Sequence, residues 1–97
     1  MSNLPRKIRM MEIMQDGKEY WNYEVIEQTM KDYGFQGEFS RDTLNMDLIE
    51  LAAVSFIKEV DLKVDDEGVY KKGFLLHKYV ITEDGKARLS EACMNAI

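Results

Sequence analysis

Few side chains here are able to do covalent or metal chemistry. His77 is the one histidine and Cys93 the one cysteine in 97 residues. A zinc-type or acid–base site draws on several such groups at fixed spacing, and neither residue has a partner of its kind. His77 follows Leu75-Leu76 on the stretch read as a returning strand, which suits a packed or surface histidine. Cys93 reads as a small apolar residue on a helix. One cysteine closes no disulfide within the chain, which points to a reducing, cytoplasmic setting. The acidic pairs Glu24/Glu27 and Asp65/Asp66 do not follow a calcium-loop pattern. No phosphate-cradling glycine loop, nucleophile elbow or metal-ligand spacing is present. The expectation is a protein that is not an enzyme and needs no cofactor or metal.

The remaining chemistry is charge and stacking. Arg6, Lys7 and Arg9 form the most basic cluster, and Lys71, Lys72 and Lys78 a second, with Tyr70 beside them. Each can meet phosphate, and each can equally be a solvated face. Tyr20, Trp21 and Tyr23 can stack on single-stranded bases, or close the junction between a short strand and a helix.

The chain carries a net charge of −5 with 45% apolar residues. At this length one domain with a modest core is expected, burying roughly 60–65% of the unfolded surface. No apolar run approaches a membrane span. The first fourteen residues lack the apolar stretch and cleavage site of a signal peptide. Residues 1–20 sum to +1, residues 21–59 to −5 and residues 60–97 to −1. The acidic middle repels polyanions unless local geometry overrides it.

Periodicity supplies the elements that must position these groups. After Pro5, the apolar residues Ile8, Met11 and Met14 recur at helical spacing until Asp16-Gly17, predicting a helix over about 5–15. A weak extended segment at Tyr20–Trp21 precedes Asn22, read as the cap of a second helix over about 23–33 that Gly34 ends. Ser40 is read as the cap of a third, over about 40–54, with Leu44, Leu48, Leu51 and Ala52 on one face. Val60, Leu62 and Val64 alternate with Asp61 and Lys63, the pattern of a half-buried strand. Asp65 to Gly73 is a charged turn, and Phe74 to Ile81 returns, so 56–81 is a hairpin. Thr82, followed by Glu83 and Asp84, opens a last helix over about 83–96.

Three helices, a hairpin and a closing helix form an α+β, mainly α layout that resembles winged helix-turn-helix domains. Leu48 to Glu59 resembles that family's passage from the recognition helix into the wing, with Ser55 where a glycine is usual. Tyr79-Val80-Ile81-Thr82-Glu83-Asp84-Gly85 resembles the pattern after the wing, where an aromatic, an apolar residue, Thr, Glu, any residue and Gly open the last helix. Ile8 to Met14 followed by Asp16-Gly17 resembles the family's first helix and exit. The likeness runs over about 6–95.

The resemblance implies that helix 3 reads bases in the major groove through Arg41, Thr43 and Asn45, with Met46 near them, while Lys71, Lys72 and Lys78 on the wing hold phosphates. Arg41 suits guanine and Asn45 adenine. Asp42, Asp47 and Glu50 on the same helix, and Asp65, Asp66 and Glu67 at the wing tip, oppose that use. It also implies a homodimer, for which Ala92, Met94 and Ile97 on the last helix offer a seam; the alternative is that this helix packs back on helix 1. Two functions follow. The first is a transcriptional regulator bound to double-stranded DNA, and the second an acidic winged-helix adaptor for a protein partner that leaves DNA alone.

Overall fold

The computed structural model describes residues 5–95. Pro5 leads into α1 (Arg6–Ile13), which buries Ile8, Met10 and Met11. After a turn, β1 (Tyr20–Trp21) runs directly into α2 (Asn22–Tyr33), and α3 (Glu38–Ala53) follows a short connection. A hairpin of β2 (Ile57–Val64) and β3 (Leu75–Ile81) precedes α4 (Glu83–Asn95). The strands form one antiparallel sheet in the order β1-β3-β2. Tyr20 lies opposite Tyr79, and Ile57 opposite Ile81. This is the winged helix-turn-helix architecture, α+β and mainly α.

One core joins these pieces. Met10, Met11 and Met14 from α1 and its exit meet Val25 and Ile26 of α2, Leu44 and Leu48 of α3, and Tyr79 and Ile81 of β3. Methionine is unbranched, so it fills the irregular gaps where three helices and a sheet converge. Leu89 carries α4 into the same core, and α4 packs against α1.

The helix ends show how local chemistry places these elements. Gly34, at φ 68°, ends α2, and the N–H of Phe35 reaches back to the Met30 carbonyl at 2.9 Å. Glycine is the residue for which this left-handed turn is free of strain. The same motif ends α3, where Phe56 N–H meets the Leu51 carbonyl at 3.0 Å, but Ser55 holds the left-handed position at φ 66°. A residue with a Cβ pays about 1–2 kcal/mol there, so the departure from glycine is a local cost.

Three sequence expectations need correction. Asn22 is not the cap of α2: the chain caps itself one residue earlier, with Glu24 Oε1 accepting the Trp21 N–H at 2.9 Å. Ser40 lies inside α3, which begins at Glu38, and its hydroxyl donates back to the Gln36 carbonyl at 3.0 Å. β2 is not half-buried; beyond Ile57 every residue of the strand is exposed. The hairpin runs past the helices as the sheet's edge, so the alternating face of Leu62 and Val64 finds no layer to cover it.

Candidate nucleic-acid interface

The loop between β2 and β3 is built around one carboxylate. Asp65 is buried, and it accepts N–H groups from Val69, Tyr70 and Lys71 at 2.8, 2.8 and 2.7 Å. Burial pushes its carboxyl upward, but the N–H groups of Tyr70, Lys71, Val69 and Gly68 outweigh that and hold its pKa below the ordinary value. Asp65 therefore organises the loop, and the acidic groups left facing solvent there are Asp66 and Glu67.

This loop rests on the first turns of α3. Lys71 Nζ lies 2.6 Å from Glu38 Oε1 and 4.5 Å from the centre of the Phe74 ring. The pair raises the Lys71 pKa and lowers that of Glu38, chiefly through their hydrogen bond. Tyr70 and Lys71 join Glu38, Arg41 and Asp42 around a cleft of about 210 Å³. Burial of Tyr70, aided by the charge of Asp42, raises its phenol pKa. Arg41 and Lys71 thus lie on one cleft.

Both cations have carboxylate partners already. Arg41 Nε sits 2.8 Å from Glu27 Oε1 on α2, a hydrogen bond that holds the guanidinium pKa above its ordinary value. Lys72 is exposed and makes no ion pair among the described residues. Lys78 is not at the loop but mid-strand on β3. Its Nζ lies 5.3 Å from the Trp21 ring and 3.4 Å from Glu19, with Lys63 Nζ 4.6 Å from the same ring. Lys63, which sequence reasoning passed over, therefore shares that position; its place across the hairpin from Leu76 and beside Lys78 was the available signal.

The other α3 candidates divide. Thr43 is partly exposed, with its hydroxyl donating to the Phe39 carbonyl at 2.9 Å. Asn45 turns towards α2, where its Oδ1 accepts from Asn22 Nδ2 at 3.2 Å, and Asn22 in turn accepts the His77 N–H at 3.4 Å. Asn22 and Asn45 so tie α2, α3 and β3 together, because Asn22 is buried and its amide needs partners. The face α3 turns to solvent holds Phe39, Asp42, Met46, Ile49, Glu50 and Ala53. It has no cation. Phe39 and Met46 are 85% and 53% exposed, apolar groups well off the Leu44–Leu48–Leu51 stripe and legible as such from their spacing.

The N-terminal basic cluster is internal glue. Arg6 pairs with Asp47, Lys7 Nζ lies 2.7 Å from Glu50, and Arg9 bridges Glu12 and Asp32, each at 2.6 Å. Trp21 and Tyr20 belong to the strand that meets β3. His77 Nδ1 meets Glu59, and its ring stacks on Tyr79 at 6.1 Å. Cys93 is exposed. On α4, Ala92 packs against this chain's own core while Met94 is 75% exposed, and Ile97 lies outside the described residues. Among the described residues no group of acidic, His and Cys side chains is placed to hold a metal, and no helix is long and apolar enough to cross a membrane.

No known family model matches the sequence, and no curated protein is similar to it at a significant level. A solved structure is similar: that of a PadR family transcriptional regulator from Eggerthella lenta aligns with a TM-score of 0.61 at 18% identity, covering 93% of this chain and 72% of that one. At that identity the likeness establishes the winged helix-turn-helix fold.

Proposed function

We propose that the chain is a DNA-binding transcriptional regulator, with the start of α3 entering the major groove and the 65–73 loop on the backbone beside it. The observation that carries this reading is the cleft where the loop rests on the start of α3, which sets Lys71 beside Arg41. The structural neighbour, a PadR family transcriptional regulator, supports it. In the complex Arg41 and Lys71 exchange Glu27 and Glu38 for phosphate or a guanine edge, and Lys72 adds a contact that has no internal competitor. Asn45 keeps an NH2 group for a base only if its oxygen stays on Asn22. Lys78, held over Trp21, is at most a flanking phosphate contact.

Fluorescence anisotropy with duplex DNA at about 50 mM and about 200 mM salt tests this. Binding is expected at the lower concentration and should fall steeply at the higher. Lys71→Ala with Lys72→Ala should lower the slope of log affinity against log salt by about 2, one per lost phosphate contact. Failure to bind duplex DNA even at the lower salt sinks the proposal.

One observation favours a second reading. The outward face of α3 combines Phe39, Met46 and Ile49 with Asp42 and Glu50, and the helix itself puts no cation on it. Such a face suits a protein partner with basic and apolar residues better than a phosphate backbone. An absence of DNA binding, together with binding of a partner that Phe39→Ala abolishes, would establish the adaptor in place of the regulator.

A further inference from the structure

β2 lies at the end of the strand order β1-β3-β2, so its outer edge meets no other strand among the described residues. An eight-residue edge is a ready template for another chain. Past the bulge between Glu59 and Asp61, its backbone groups alternate in direction. Asp65 N–H donates to the Phe74 carbonyl at 2.8 Å, on the β3 side. Leu62 N–H instead meets Asp61 Oδ1, also at 2.8 Å. Asp61 and Lys63 therefore bond inward, while Leu62 offers N–H and C=O outward and Val64 its N–H, the Val64 carbonyl already accepting the Asp66 N–H at 3.0 Å. Their side chains, 47% and 49% exposed, stand opposite His77 and Leu75. That is the sheet face which farther along carries Tyr79 and Ile81 into the core.

We propose that a second copy of this chain pairs here, β2 against β2 and antiparallel, on a twofold axis through Leu62. The charges select that register. With Leu62 on the axis, Asp61 faces the partner's Lys63 and Lys63 faces the partner's Asp61, while Val60, at the bulge, lies near the partner's Val64. An axis at Lys63 also pairs outward-directed groups, but it sets Lys63 against itself and Asp61 against Asp65. An axis at Asp61 sets two carboxylates together. Only the Leu62 register opposes unlike charges at both positions and leaves Leu62, Val60 and Val64 to cover one another. The Leu62 N–H exchanges Asp61 for the partner's Leu62 carbonyl, which frees Asp61 for the partner's Lys63. The symmetric contact closes as a dimer and removes the open edge. The regular ladder past the bulge is short, so association depends on concentration.

Sedimentation velocity of the full chain from about 10 μM to about 500 μM is the test, with thermal unfolding to verify that each variant folds. The wild type is expected to pass from monomer to dimer. Asp61→Lys and Lys63→Asp should each weaken association by about tenfold or more, because each sets like charges opposite at two positions. An equimolar mixture of these two variants should dimerise again, since every mispaired position then faces its opposite. If either variant fails to fold, Leu62→Lys, on an exposed side chain, takes its place and should be monomeric. A wild type that stays monomeric, a dimer that survives in the variants because α4 holds it, or a mixture of folded variants that does not associate overturns the proposal.

Discussion

Gly85 sits where the first turn of α4 crosses the end of α3. A Cβ there would fall inside any real contact distance of the Phe56 carbonyl oxygen and 2.9 Å from Ile81 Cγ1. The carbonyl is fixed by Thr82, whose N–H donates to it at 3.1 Å and whose hydroxyl donates to it at 3.0 Å and to the Ser55 carbonyl at 2.7 Å. The same hydroxyl oxygen accepts the Gly85 N–H at 3.0 Å. Thr82 and Gly85 thus form one clasp: the threonine caps α4 and ties it to the α3–β2 junction, and the glycine allows the approach. Gly85→Ala is expected to cost about 2–3 kcal/mol, since backbone on both sides must shift. Urea unfolding of the variant checks this; a loss under about 0.5 kcal/mol would mean that the junction yields. The Thr-Glu-x-Gly pattern was legible in the sequence, whereas the carbonyl it clasps was not.

At the scale of elements, the hairpin departs most from its sequence pattern. Period-two alternation at Val60, Leu62 and Val64 reports the pleat of a strand, not the presence of a layer on one side of it. The loop shows the converse: Asp65 looks like one more exposed acid in a charged run, yet its oxygens close the turn from within. Its pKa is lowered in the fold, so the order it confers is complete above the ordinary aspartate range and is lost as pH falls through the lowered value. NMR should show the amides of Val69, Tyr70 and Lys71 unchanged from pH 7 down through the ordinary aspartate range and shifted towards random coil only at still lower pH. Asp65→Asn should shift the same amides at neutral pH. Amides that stay put in both cases would show that the loop holds without this carboxylate.

Over the whole molecule, much of the positive charge is consumed internally. The net charge of −5 suggests a surface that repels polyanions, and the ion pairs say where. Arg6, Lys7, Arg9, Arg41, Lys71 and Lys78 all meet carboxylates of this chain. Exposed pairs of this kind contribute little to stability, so Arg41 and Lys71 can leave theirs at small cost. Replacing their partners frees them without altering the groups proposed to meet DNA. Glu27→Gln with Glu38→Gln is expected to raise duplex affinity about tenfold at low salt and to steepen its salt dependence. Unchanged affinity in the anisotropy titration would separate Arg41 and Lys71 from the phosphates.

What the amino-acid sequence determined by itself was the order of elements and the fold they build. Helical spacing in α1 to α3, Gly34 as a stop and Thr82 as a start are short-range signals, set by bonds a few residues apart. The core positions Leu44, Leu48 and Leu51 followed from the same periodicity. Tertiary structure alone decided which cations remain available, because Arg41 meets Glu27 and Lys71 meets Glu38 only once α2, α3 and the hairpin have packed. It also turned Asn45 towards Asn22 and left Leu62 and Val64 uncovered. Those outcomes depend on which faces meet across tens of residues, and a local pattern carries no record of what lies opposite.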